Sequence, residues 1–479
     1  EEGASGPMST QRQMRLMSPT GHLGFTPIER GSFEIGLRHE PDAIVADSGS
    51  CDIGPYPLGS DQAHSPREWQ MHDIELIVRG ARELGIPAII GSASDTGTDR
   101  GVDDYVAMVQ EVVERERLGP VRVAAIYSEI DREFLRGLIR DGVEIAGLNG
   151  RPPLDEATLD RTDRIVGVMG AEPIIDALDA GAEIIITGRA SDSAIFAAPA
   201  LRAGYPKALA YCLGKLLECA SFCAEPYMGK ETVIGTITDE ELILEPMHPG
   251  QRCTPASVAG HAMYERIDPF TETVAAGSLD LREIRYEAID ERRTRVTGPR
   301  FIEAPRPTIK LEGAGKVGER ALAIMGIRDP ITLSYLDEVI AFARKKVEER
   351  FGPPGQPGGY ELFYHVFGRN GVMGYLEPTP EVVGHEVAVV VEAVAPTRAM
   401  ADEIAAMGSR NMFYARLPVV KGTAGGASFF SDEVLAARPG YQWTVAHVLP
   451  VNDPRELFRT RLLTVGGEEI RWQERPAPR

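Results

Sequence analysis

The chain has 479 residues, a formal net charge of −20, 43% hydrophobic residues and 25% charged residues. It is too long for one ordinary core, normal in composition for a globular protein, and too acidic to grip a nucleic-acid backbone. Its apolar runs fall far short of a membrane span, no signal-like segment opens it, and its five scattered cysteines argue against a disulfide scaffold, so a cytoplasmic protein with no membrane and no nucleic-acid partner is expected.

Glu1–Pro7 reads as a tag remnant, with Met8 as the natural start. Ala43–Ala46 reads as a short strand that runs into the polar loop Asp47–Asp52. A helix is predicted from Ser65-Pro66-Arg67-Glu68, with Ser65 as cap, Pro66 at the first helical position and Glu68 closing a capping box. Ile74, Ile77, Val78 and Ala81 keep helical spacing until Gly85 and Pro87 end it. Ala88–Ile90 is the next strand, opening into Gly91–Asp99, and a helix follows over Val102–Arg117. Val121–Ile126 leads to Tyr127-Ser128-Glu129, ahead of a helix marked by Phe134, Leu135 and Leu138. Arg164–Val168 and Glu183–Ile186 read as further strands, with a helix from near Pro173 between them, and a long helix is expected over Pro206–Cys223. After Thr232 the texture turns to short β-like runs, including a hairpin over Ile284–Ile289 and Arg292–Val296 and a strand at Thr308–Leu311. Ser334–Arg350 is an amphipathic helix, and Phe351–Gly359, dense in Gly and Pro, reads as a linker. Tyr360–Phe367, Glu386–Val394 and Thr444–Val451 then read as strands, with Met400–Met407 helical.

Strands alternating with helices at this spacing imply an α/β fold: a mostly parallel sheet with flanking helices, plus a smaller C-terminal α+β domain of ferredoxin-like type. The expected domains are an α/β core over 8–231, a second α/β region over 232–351 that completes the cleft, and the C-terminal domain over 360–479. Ligands in such sheets sit beyond the carboxyl ends of the strands, where the small polar residues of this chain concentrate.

The stretch Ile184-Ile185-Ile186-Thr187-Gly188-Arg189-Ala190-Ser191-Asp192 is the strongest candidate site. A strand buried on both faces meets a helix start whose free N–H groups favour an anion, and Arg189 adds a fork that suits a carboxylate or phosphate. The alternative is a capping Asp192 with a paired surface arginine. Candidate catalytic residues are Arg189, Asp192, His22 and His64; candidate substrate contacts are Ser50, Cys51, Ser92, Ser94, Thr187, Gly188, Arg189 and Ser191. Asp47, Asp52 and Asp95, with Asp99, could gather a divalent metal such as Mg²⁺, or could be turn formers and caps. Lys310 and Glu312 either enter the cleft or form a solvated pair on an edge strand. Cys253 with His248 is a weaker thiol–imidazole candidate, and Cys219 with Cys223, spaced i,i+4 on the expected helix, reads as core packing.

The run Ser18-Pro19-Thr20-Gly21-His22-Leu23-Gly24-Phe25, the element Ile184–Asp192 and the stretch Met247-His248-Pro249-Gly250-Gln251-Arg252-Cys253-Thr254 together resemble the acyclic terpene utilization (AtuA-like) family of bacterial proteins. Thr187-Gly188-Arg189-x-x-Asp192 is the most specific piece, and the resemblance covers most of the chain from about Arg15 onward. It implies a role in the catabolism of branched acyl-CoA compounds and supplies no catalytic residues.

The expected function is a metabolic enzyme, a lyase of hydratase or dehydratase type, acting on a small carboxylate or acyl-CoA. The alternative is a non-catalytic acyl-CoA-binding subunit that works with a small partner protein. Homo-oligomerisation is expected of either.

Overall fold

A computed structural model of the chain describes residues 12–49, 51–379, 381, 384–416, 418–419, 426–430, 434–467 and 473–475. Strands Met14–Ser18, Ala43–Asp47, Ala88–Gly91, Ile184–Thr187 and Val121–Tyr127 lie side by side in that order and run parallel. The apolar runs dictate this placement. Every residue of Ala43–Asp47 and of Ile184–Thr187 is buried, as central strands covered on both faces require. Ile44 and Ile90 belong to one hydrophobic cluster and Val45 and Ile89 to the other, so successive residues feed opposite faces. Helices Arg67–Leu84 and Asp99–Arg115 supply the first of these clusters; helices Asp192–Arg202 and Lys207–Leu217 supply the second.

The expectation of a mostly parallel sheet needs correction. Antiparallel strands extend this core on both sides: Val233–Ile237, Leu242–Pro246 and the hairpin Arg285–Ala288/Thr294–Thr297 beyond Met14–Ser18, and Arg459–Val465 beyond Val121–Tyr127. The sheet is therefore mixed. Arg164–Gly167 is not part of it. That strand pairs antiparallel with residues 311–314 of the long strand Thr308–Ile327.

The chain divides into two compact units, residues 1–314 with 443–479, and residues 315–442. The expected boundaries at 231/232 and 351/360 do not coincide with this division. In the second unit, helix Leu336–Phe351 and strand Glu361–Phe367 share one core, with Val339, Ala343 and Val347 packed in the same cluster as Leu362 and Val366. The Gly/Pro stretch between them is a closed turn: Gly355 N–H donates to Tyr360 O, and the Tyr360 hydroxyl donates to Gly352 O. The sheet of this unit is antiparallel, with Val387–Ala395 between residues 319–327 and Glu361–Phe367. No helix among the described residues is long and apolar enough to cross a membrane.

Helix Lys207–Leu217 ends six residues short of the expected Cys223: Glu218 is already extended, with a ψ of 132°, and Cys219 follows with a left-handed φ of 49°. Gly214 sets the approach of this helix to the next: a Cβ there would lie 2.0 Å from Ser193 O. The close crossing places the helix's last turn beside the start of helix Asp192–Arg202.

Candidate functional site

Three strands of the parallel core end at a common rim, and the loops after them bind one another. Arg189, just past Ile184–Thr187, is the tie. Its Nη1 donates to Gly49 O at 3.2 Å and to Ser92 Oγ at 3.1 Å, and its Nε donates to Glu312 Oε2 at 2.9 Å. Asp192 Oδ1 stands 3.5 Å from Nη1. Glu312 also accepts from Lys310 Nζ at 2.8 Å. Burial would raise the Glu312 carboxyl, but Arg189 and Lys310 pull it down to about 2. Glu312 thus enters the rim, while Lys310, 43% exposed, holds it from the solvent side. The backbone is held in the left-handed region at Ser92, Ser94 and Asp95, with φ of 49°, 63° and 62°, a clustering of strain typical of functional loops.

Carboxyl groups held high line one side of this rim. Asp47, at the end of its strand, is pushed well up by burial and by the charge of Asp192; Arg189 and the Gly49 N–H oppose this. Its Oδ2 accepts from Gly49 at 3.1 Å, and its Oδ1 is buried without a hydrogen-bond partner. Asp192 is raised by its surroundings against the pull of Arg189, with Glu272 and Glu312 adding to the rise. It lies deep in the unit, yet 39% of its side-chain surface is accessible, so it lines a hollow rather than packed interior. Glu218 is raised by burial to about 7, against the pull of Lys215, with which it forms a short ion pair. Tyr264 donates to Glu218 Oε2 at 3.2 Å, and the Lys215 ammonium sits 4.5 Å from the Tyr264 ring centroid. Ser193 donates to Glu272 at 2.5 Å.

The loop after Met14–Ser18 supplies His22, and the loop after Ala88–Gly91 supplies a carboxylate held low, Asp95. His22 Nε2 lies 2.6 Å from Asp95 Oδ1. Asp95 also accepts from Ser65 Oγ at 2.8 Å, Ser65 N–H at 2.6 Å and His64 N–H at 2.8 Å. Burial raises Asp95, but the His22 and Ser65 hydrogen bonds outweigh it and the net shift is downward. An ionised Asp95 fixes the His22 proton on Nε2 and leaves Nδ1 as the basic nitrogen. Among the described residues His22 Nδ1 has no hydrogen-bond partner, and it is not sealed from solvent; the side chain is 12% exposed.

Several expected roles change in this geometry. Asp95 is the orienting partner of His22. Asp47, Asp52 and Asp95 do not gather: Asp52 is exposed near Glu265, and no group of three or more His, Cys, Asp or Glu among the described residues is arranged to hold a metal. Ser92, Ser94, Thr187 and Gly188 are buried between loops, where they build the rim. At Gly188 the chain passes so close to its neighbours that a Cβ would lie 2.3 Å from Ser128 Oγ. Ser191 caps the helix that Asp192 begins. Arg189 is brought to the rim, 12% exposed, with its fork engaged inside the protein. His64 contributes its backbone N–H to Asp95 and stacks on Phe25 at 6.5 Å. Ser65 spends its hydroxyl on Asp95 and does not cap helix Arg67–Leu84. Ser50 and the Cys51 side chain lie outside the described residues. Cys253 is buried, its thiol pushed up by burial, and His248 Nδ1 accepts from Gly250 N–H, so these two form no thiol–imidazole pair.

Lys215, Glu218 and Glu272 were not among the candidates. The signal within reach was a lysine and a glutamate three residues apart on an otherwise apolar helix face.

Glu218 makes the site's contribution to stability pH-dependent. Its folded pKa lies above its unfolded value, so the unfolded chain loses the proton first. Stability from this group is complete below about 4.5 and lost as pH rises through about 7. Urea unfolding of the wild type should show this decline between about pH 5 and pH 8, and Glu218→Gln should flatten it. Parallel declines in the two proteins would remove Glu218 as the source.

No curated protein and no solved structure matches the chain. The sequence profile of the acyclic terpene utilisation family protein AtuA matches residues 42–446, which takes in Ile184–Asp192 and Met247–Thr254 and leaves Ser18–Phe25 outside. On that match, over most of its length, the chain belongs to the acyclic terpene utilisation family AtuA.

Proposed function

We propose that the chain is a metabolic enzyme of the lyase class, a hydratase or dehydratase acting on a small carboxylate or its CoA thioester. One observation carries this reading: at one rim, a His–Asp pair with its carboxylate held low stands near carboxyl groups held high. Environments that push titratable groups apart assign acid and base. In dehydration, His22 Nδ1 takes the proton from the carbon beside the carbonyl, and Asp95 stabilises the imidazolium. A protonated carboxyl, Asp192 or its neighbour Asp47, gives its proton to the departing hydroxyl, which leaves as water. Hydration is the reverse. Arg189 acts as a positioning residue that fixes the loops carrying these groups.

The test is proton exchange. Incubated in D₂O with 3-hydroxybutyrate, isovalerate and their CoA thioesters, the protein should place deuterium beside the carbonyl or interconvert hydroxy and unsaturated forms, read by NMR. Binding without exchange across this panel would overturn the enzymatic reading in favour of a second one, a non-catalytic binding subunit with a protein partner. That alternative is favoured by the exposed apolar group Phe222, Tyr227 and Met228, 51%, 60% and 42% exposed, with the two rings stacked at 5.3 Å. We also read residues 315–442 as a ferredoxin-like layer. Its chain order of strand, helix, strand, strand, helix and its antiparallel pairing support this.

A further inference from the structure

The proposed reaction needs a cation for the anionic end of its substrate, and Arg189 is spoken for. Its Nε and Nη1 donate to Glu312, Gly49 O and Ser92 Oγ inside the protein, with Asp192 Oδ1 3.5 Å away. Lys215 is balanced by Glu218, and Lys310, 43% exposed to solvent, shares Glu312 with Arg189. Lys230 is different. Its ammonium is partly buried, forms no ion pair with a carboxylate among the described residues, and donates to the backbone oxygen of His22. The Phe25 ring centroid lies 5.8 Å from it. Asp73, the first carboxylate whose charge it feels, is committed to the Gly24 and Ile28 N–H groups at 2.9 and 2.8 Å. Asp95, the other, is committed to His22, His64 and Ser65. Lys230 is held beside the loop that carries the candidate base, and its field extends to Cys219, whose own surroundings include Asp47 and Asp192.

An ammonium removed from water without a counter-ion is destabilised, and an anion arriving next to it relieves that cost. We propose that Lys230 binds the carboxylate end of a small anionic substrate, presenting the substrate's reactive carbon to His22. This inference rests on the lyase reading for the identity of the ligand and not for the existence of the cation site. Burial draws the Lys230 amine down to about 8, with Asp73 and Asp95 opposing. Only the protonated amine attracts a carboxylate, so affinity should be full between about pH 6, where the probe carboxyls are ionised, and about pH 8, and fall above it.

The experiment uses the whole chain and three probes: acetate, isovalerate and succinate. Binding is measured by calorimetry across pH in wild type, Lys230→Met and Lys230→Arg, alongside the urea midpoint of each. The expected result is binding of at least one probe that weakens above about pH 8, at least tenfold weaker binding in Lys230→Met, and binding within a few-fold of wild type in Lys230→Arg, at unchanged midpoints. The Lys230 amine, followed by NMR after isotopic methylation, should titrate at higher pH when that probe is bound. Equal binding by wild type and Lys230→Met overturns the proposal, as does binding of none of the probes. Failure of the lyase reading looks different: Lys230-dependent binding with no deuterium exchange.

Discussion

Replacing His22 by Gln is expected to cut turnover about 10²–10⁴-fold while leaving the urea midpoint close to wild type. The side chain is partly exposed, and its one firm contact is the 2.6 Å bond to Asp95. A glutamine amide can donate the same bond, so Asp95 keeps its donors and the loop keeps its anchor. What the amide lacks is a basic nitrogen to accept the substrate proton. The companion change, Asp95→Asn, separates base from orienter. Asp95 is buried and also accepts from two N–H groups and a hydroxyl. An amide nitrogen there would face donors, and loss of both stability and activity is expected. Steady-state rates on whichever substrate shows deuterium exchange, with urea unfolding of the same preparations, read both effects. A Gln variant retaining more than about a tenth of wild-type turnover would take His22 out of the chemistry.

The location of this site was legible in the sequence, and its wiring was not. Central parallel strands are buried on both faces, so Ala43–Ala46, Ala88–Ile90 and Glu183–Ile186 read as apolar runs, and the polar loops after them mark the rim. Partners are another matter. His22 and Asp95 lie 73 residues apart, and Arg189 and Glu312 lie 123 apart. They meet because Ala43–Asp47 lies between Met14–Ser18 and Ala88–Gly91, and because residues 311–314 pair with Arg164–Gly167. No local spacing encodes either juxtaposition. The early end of helix Lys207–Leu217 was equally silent, since it depends on an extended Glu218 followed by a left-handed Cys219, a residue with no preference for that region. The division between units shows the converse error. Gly and Pro at Phe351–Gly359 announce a turn, which the chain makes within one core, whereas the division at 314/315 falls inside the 20-residue strand Thr308–Ile327, where nothing in the composition changes. Asp95 best illustrates the limit. Its composition fitted a metal ligand or a turn former, and only its four donors reveal a carboxylate kept ionised to orient a base.

The change Arg189→Ala is expected to destabilise the protein by up to about 3–5 kcal/mol, the cost of removing one member of a buried ion pair, with Lys310 left as the remaining partner of Glu312. Arg189 is 12% exposed and Glu312 6%, so solvent cannot replace the lost partner. The same side chain also ties Gly49 and Ser92, so its removal loosens two strand-end loops as well as stranding a charge. Arg189→Lys should recover little, because a single ammonium cannot reach Glu312, Gly49 O and Ser92 Oγ together. The double variant Arg189→Ala/Glu312→Gln should be less destabilised than the sum of its parts, since the second change removes the charge that the first strands. The pH dependence fixes the cause. Glu312 has a folded pKa of about 2, below its unfolded value, so the pair's stabilisation is present above about 4.5 and is lost as pH falls toward 2. The gap in unfolding free energy between wild type and Arg189→Ala should therefore hold from neutral pH to about 4.5 and narrow below it. A variant within about 0.5 kcal/mol of wild type at neutral pH would mean that the guanidinium is free to serve a ligand, and the substrate's anionic end would then have a second claimant beside Lys230.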